Sequence, residues 1–331
     1  MADFSAIIGQ EHIKEQLGGS VDNDTISHAY IFSGEKGLGK KHMAKLFSMA
    51  IQCEGGKKGN RPCMECRSCR LALGNNHPDI KYFLPEKEKS IGVRPVRKQI
   101  VDDVYIKPYS SRYKVYIMKD ADKMTLAAQN VLLKTLEEPP SYTVLILITD
   151  NISSIIPTII SRCVVLSMKP LKDSAVRDYL MDELHISEYQ AGICSAFARG
   201  NIGRARSLAL NDSFGIIRED TVRILKDIKD MDMETLIGQE KIIQKRREAV
   251  NEFFDIITIW YRDVLMYKAT GDKDAIVFKE EEKSIRKAAE RSSYEGIERV
   301  MEKLDITKER LKANVKFALA IELLLLTIKE N

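Results

Sequence analysis

Gly34-Glu35-Lys36-Gly37-Leu38-Gly39-Lys40 fits the first seven places of the phosphate loop, G-x-x-x-x-G-K. Gly34, Gly37 and Gly39 let the backbone turn with positive φ and bring its N–H groups to phosphate oxygens. A helix opening beside Gly39 would aim its positive dipole end at the same oxygens. Lys40 adds a point charge for the β and γ phosphates. The eighth place calls for Ser or Thr, whose hydroxyl ligates Mg²⁺, and the chain has Lys41 there. An ammonium cannot ligate a cation, so the loop suits ATP or ADP as a held anion but is poorly equipped to hydrolyse it. A glycine-rich turn with no ligand is the competing reading.

A second cluster follows. Four of the six cysteines, Cys53, Cys63, Cys66 and Cys69, lie within seventeen positions. Four thiolates around one Zn²⁺ give a closed tetrahedral site with no position left for water, so the expected metal is structural. Gly55-Gly56 and Gly59-Asn60 supply the loop that folds Cys53 back. Such sites bind zinc with an apparent ~10–16 kcal/mol in small peptides, enough to hold an insert that has no core of its own. Buried free thiols and a redox C-x-x-C are the competing readings, and neither pair opens a helix after a strand. Thiolate chemistry favours zinc without fixing the metal. Cys163 and Cys194, isolated in apolar surroundings, read as small core residues.

Lys114-Val115-Tyr116-Ile117-Met118 reads as a strand, at whose end an ATPase of this class carries Asp for Mg²⁺ and Glu to activate water. Here the strand runs into Lys119-Asp120-Ala121-Asp122. With Lys119 and Asp120 in the two places, the metal carboxylate has become a cation and the base is a methylene short. One register along, Asp120 reaches the metal but Ala121 stands for the base. Either way one group is missing.

The elements that must position these groups are legible by pattern. Strands are expected at 27–32, 80–84, 114–118, 144–149 and 164–166, with helices over 41–52, 96–104 and 125–138, the last stopped by Pro139-Pro140. Alternation of strand and helix gives a doubly wound α/β domain with a parallel sheet. The fully apolar Val144–Ile148 is of the kind buried on both faces. His77, in the loop-like Asn76-His77-Pro78-Asp79, reads as a turn residue, and Glu86-Lys87-Glu88-Lys89 as a solvated charge run. Beyond Pro170 the strands stop. Short helices are expected at 174–184, 188–199 and 203–210, then long ones at 216–229, 242–267, 280–290 and 293–328, the last broken near Asp305. Trp260 and Tyr261 read as core or interface residues rather than a ligand platform.

Composition sets the limits. The 331 residues allow two or three domains, and 44% apolar with 30% charged residues is ordinary for a water-soluble chain. A net charge of +4 makes a free-standing zinc DNA-binding protein a poor fit. No signal peptide is expected after Met1-Ala2-Asp3. The longest apolar run, Phe317–Ile328, carries Glu322 and falls short of the ~20 residues that span a bilayer.

These residues together resemble the delta prime subunits of the bacterial DNA polymerase III clamp loader, in the form common among Gram-positive bacteria. The resemblance covers nearly the whole chain. It rests on Ser27-His28-Ala29-Tyr30, the four-cysteine insert after the first helix, Asn76-His77-Pro78-Asp79, the stretch Asn130-Val131-Leu132-Leu133-Lys134-Thr135-Leu136-Glu137-Glu138-Pro139, and Ser161-Arg162-Cys163. It implies an AAA+ module over 1–168 with its zinc insert at 53–69, an all-α lid over 169–211 and an all-α collar over 212–331. It also implies that Arg162 is a trans-acting arginine finger completing a neighbouring subunit's ATP site.

In the same comparison the lid arginine is replaced by Gly203, with Arg204 one place on. With Lys41 and the degraded pair at 119–120, that makes three lesions in one site. The implied role is a non-hydrolysing member of a hetero-oligomeric ring with gamma/tau and delta subunits, cytoplasmic and replisome-associated. That ring opens the sliding clamp onto primer-template DNA within the polymerase holoenzyme, a nucleotidyltransferase. An active ATPase subunit like gamma and tau is the alternative.

Overall fold

The computed structural model describes residues 4, 7–56, 59–85 and 90–331. The charge run at 86–89 lies outside the described residues. The chain divides into two compact units, one of residues 1–175 with 200–204, the other of 176–199 with 205–331.

The first unit is built on five parallel strands, β1 (Ala29–Ser33), β2 (Ile80–Tyr82), β3 (Lys114–Met118), β4 (Thr143–Thr149) and β5 (Val164–Ser167), in the order β2-β3-β4-β1-β5. The three inner strands are buried along their whole length, because helices cover both faces and every second residue meets one of them. On one face Tyr30, Phe32, Ile146 and Ile148 join α1 (Glu11–Asp22), α2 (Lys40–Ile51) and α3 (Arg67–Leu73). On the other, Ile31, Tyr116, Leu145 and Leu147 pack against α4 (Val93–Val96), α5 (Leu126–Glu137) and α6 (Pro157–Ile160). The expected helix over 96–104 begins earlier, as α4, and continues as one wide π-turn over Arg97–Val101. Thr125 caps α5, its hydroxyl accepting from the Ala128 N–H at 3.2 Å.

The second unit is all helical. It holds α8 (Glu188–Ala198), most of α7 (Asp173–Leu184) and α9 (Ile202–Ala209), and then α10 (Asp212–Asp227), α11 (Met233–Lys245), α12 (Val250–Thr270), α13 (Glu282–Arg291), α14 (Tyr294–Lys312) and α15 (Phe317–Glu330). Trp260 and Tyr261 are buried, and Trp260 and Phe197 each lie 6.1 Å from the Phe278 ring.

The structure corrects two further helix boundaries. The helix read over 242–267 is two, because the chain leaves α-geometry at Arg246 and makes a short 3₁₀ turn over Arg247–Ala249. Arg246 is turned to the Asp220 carboxylate of α10 at 2.5 Å. Ile242-Ile243 and Ala249-Val250, seven residues apart, keep helical phase across the polar run 244–248, so pattern alone does not place the break. The helix read over 293–328 breaks not near Asp305 but at 313–316, where Asn314 sits at φ 59°, a left-handed conformation that asparagine tolerates. Among the described residues, no helix is long and apolar enough to cross a membrane.

Candidate phosphate-loop cleft and cysteine cluster

The glycine stretch leaves β1 and enters α2 as its pattern requires. Gly34, Gly37 and Gly39 have φ of 139°, 99° and 89°, and Gly39 is the residue before the first helical turn. No side chain caps that turn and no acidic residue lies in it. The Lys40 ammonium, 5% exposed, donates to the Gly34 and Glu35 carbonyls at 2.5 and 2.7 Å and pairs with Asp150 at 2.8 Å.

The loop opens on a cavity of about 760 Å³. Its charged lining is six lysines, Lys36, Lys40, Lys41, Lys45, Lys119 and Lys123, against Asp120, Asp122 and Asp150, so the cavity is net basic. Asp120 is held by Lys119 at 3.8 Å and Lys123 at 3.1 Å. Asp122 accepts from the Thr149 hydroxyl and the Asp150 N–H at 3.1 and 3.2 Å. Lys119 and Asp120 both face this cavity, whereas Ala121 is fully buried in the sheet's other core. Lys45 donates to the Leu73 carbonyl and to Asn75 Oδ1, each at 2.9 Å. Burial and then the charge of Lys41 hold Lys45 below the usual lysine range.

Two residues that pattern reading passed over govern the loop. Asn201, buried, donates from its amide to the Lys36 carbonyl at 2.7 Å, and its Oδ1 stands 2.3 Å from where a Cβ on Gly37 would be. Asp150 sits just past the end of β4, where parallel strands gather functional groups, and that position was the available signal. The Gly203 N–H donates to the Gly37 carbonyl at 3.0 Å.

The four cysteines converge. The sulfurs of Cys53, Cys63, Cys66 and Cys69 all lie within 4.8 Å of one another. Tetrahedral zinc with Zn–S of about 2.3 Å sets sulfurs about 3.8 Å apart, so the set fits with a contraction of under ~1 Å. Backbone N–H groups already donate to three of the sulfurs at 3.4 Å: Cys63 to Cys53, Cys66 to Cys63 and Cys69 to Cys66. Burial opposes ionisation of Cys66, but N–H groups of Cys69 and Glu54 outweigh it and bring the thiol down to about 6. None of the six cysteines is in a disulfide. Cys194 is buried and Cys163 half-buried, and burial pushes their thiols up to about 11 and about 12.

His77 is more than a turn residue. Its Nε2 meets the Ser68 hydroxyl of α3 at 3.0 Å and its Nδ1 accepts from the Asp79 N–H at 3.1 Å. The Asp79 carboxylate in turn accepts the N–H groups of Tyr109, Ser110 and Ser111. This chain of bonds ties the helix that carries Cys69 to the edge of the sheet.

Arg162, on the turn between α6 and β5, donates to the Thr158 carbonyl at 2.9 Å and pairs with Glu137 Oε1 at 2.9 Å. Its side chain is 36% exposed, and it is not among the residues lining the phosphate-loop cavity.

The family described as DNA polymerase III, delta subunit, matches residues 9–172, and that described as DNA polymerase III, delta subunit, C terminal, matches residues 239–330. The chain is 30% identical to DNA polymerase III subunit delta' of Bacillus subtilis, over 97% of each chain. It is 28% identical to the same organism's DNA polymerase III subunit tau, over 93% of this chain and 58% of that protein. A solved structure of a gamma subunit-related protein from Thermotoga maritima covers 95% of this chain and 99% of its own, at 18% identity and a TM-score of 0.49.

Proposed function

The chain belongs to the DNA polymerase III delta subunit family, and on that premise we propose that it is a non-hydrolysing delta prime subunit of the clamp loader. In this reading residues 1–168 form the AAA+ domain, 169–211 its lid and 212–331 the collar that packs among gamma/tau and delta subunits in a hetero-oligomeric ring. The ring opens the sliding clamp and sets it on primer-template DNA.

The observation that carries the reading is the make-up of the cleft. Hydrolysis needs a divalent cation between the β and γ phosphates and a base for the water. The two places that would hold the cation carry Lys41 and Lys119, and the carboxylate that remains, Asp120, is engaged by two lysines. Arg162, by contrast, stands away from this chain's own cleft on a partly exposed turn, as a group serving a neighbour would. A guanidinium that stays charged and offers five donors suits a γ-phosphate across an interface. Cys53, Cys63, Cys66 and Cys69 hold a structural zinc that stiffens the insert and takes no part in chemistry.

The alternative, an ATPase subunit like gamma or tau, is separated by a direct assay. The purified chain should release no phosphate from ATP with Mg²⁺ above background. Turnover that Lys40→Ala abolishes would overturn the proposal.

A further inference from the structure

The cleft that lacks a metal site is still strongly basic, and its cations occupy informative places. Lys40 and Lys41 are the first two residues of α2, a twelve-residue helix with no acidic residue in its first turn and no capping side chain. Cations at a helix N-terminus oppose its dipole, and an anion there relieves them. Lys41 is exposed, lines the cavity and has no ion pair or hydrogen bond among the described residues. Lys36 lines the same cavity.

We propose that this cleft binds a linear di- or triphosphate without a divalent cation, the Lys41 ammonium supplying the charge that Mg²⁺ supplies in a hydrolytic phosphate loop. The inference rests on the phosphate-loop portion of the function proposed above and is independent of Arg162. In a hydrolytic loop the metal has two functions: it neutralises the β and γ oxygens, and it polarises them toward attack. A fixed ammonium does the first and not the second. A phosphate chain bound this way is a stable ligand rather than a substrate. Entry displaces one internal partner, because Asp150, 44% exposed, pairs with Lys40 and must give way to phosphate oxygens.

The test is equilibrium binding by calorimetry on the full chain, with ATP and with inorganic tripolyphosphate, each in EDTA and in Mg²⁺. Binding in EDTA at least as tight as in Mg²⁺ is expected, since chelation of the ligand by Mg²⁺ removes charge that the lysines recognise. If both probes bind, the phosphate chain alone is read; if only ATP binds, the source is a nucleotide; either outcome supports the site. Lys41→Ala should weaken binding in EDTA by about tenfold or more, the range for one charge-assisted hydrogen bond. Asp150→Ala should tighten it, a gain that a misfolded variant cannot imitate. Binding only with Mg²⁺, no binding in either buffer, or affinity indifferent to Lys41→Ala would each overturn the proposal. Phosphate release from ATP by the wild-type chain would instead strike the non-hydrolysing reading, so the two failures are distinguishable.

Discussion

The Gly203 N–H donates to the carbonyl oxygen of Gly37 at 3.0 Å, and a methyl group built on Gly203 would lie 2.7 Å from that oxygen. Gly203 is therefore a packing requirement of the loop. With Asn201 bonded to the Lys36 carbonyl, it clamps the tip of the phosphate loop from the segment at 200–204.

Adding a side chain at Gly203 should cost stability and bring no catalysis with it. Gly203→Ala must push the two backbone segments away from each other, and ~1–3 kcal/mol of destabilisation is expected for such overpacking. Gly203→Arg should be no less costly and should add no ATPase. Thermal or urea melting of the two variants checks this, and an arginine variant as stable as wild type would contradict the clamp.

Arg162→Ala should leave the isolated chain close to wild type in stability, since a partly exposed pair such as Arg162–Glu137 contributes only ~0–1 kcal/mol. In the reconstituted ring the same change should lower ATP turnover steeply, arginine fingers elsewhere being worth roughly 10³–10⁵ in rate per site. Arg162→Lys should not rescue it, because a point charge does not reproduce the planar fork. Unchanged turnover by the ring with Arg162→Ala would remove the trans role.

Metal analysis of the purified chain should give about one zinc per molecule, lost on prolonged chelation and lost in Cys66→Ser. Cys163→Ser should keep the metal, as its sulfur is outside the cluster. Loss of zinc should expose the 53–69 module to proteolysis while the sheet persists, since the inner strands are buried independently of it. Full metal content in Cys66→Ser would disprove a four-cysteine site.

The His77–Asp79 latch predicts a pH dependence. Burial holds His77 below its ordinary 6.5, with the nearby carboxylates of Asp79 and Glu54 opposing. Its Nδ1 already accepts an N–H and has no room for a proton. The unfolded chain therefore takes up a proton first as pH falls below about 6.5, and stability declines from there toward the folded pKa. Asp79 adds a second decline at lower pH: burial would raise its pKa, but the N–H groups of Tyr109, Ser110 and Ser111 hold it below 3.8. His77→Phe should flatten the melting-temperature profile between pH 7 and 5. A profile of unchanged slope would show that the ring does not titrate on unfolding.

The sequence by itself determined the strands, the loop and the cysteine set. Runs such as Val144–Ile148 are apolar at every position, which only burial on both faces satisfies. The spacing of Gly34, Gly39 and Lys40, and of Cys63, Cys66 and Cys69, is a local geometric signal that survives in one dimension. Lys41 could be read as a lost metal ligand because the motif assigns each place a chemical task.

Tertiary structure decided what meets those elements. Asn201 and Gly203 reach the loop from more than 160 residues away in the chain, and no pattern links them to Gly37. Asp150 pairs with Lys40 because β1 and β4 are neighbours in the sheet, an order set by packing and invisible to periodicity. The break at Arg246 goes unread and that at Asn314 is displaced from Asp305 for a related reason: apolar positions keep helical phase on either side of each, and the turn is fixed by partners such as Asp220 on another helix. Local propensity and spacing specify elements, whereas contacts between distant segments select which of their side chains share a site.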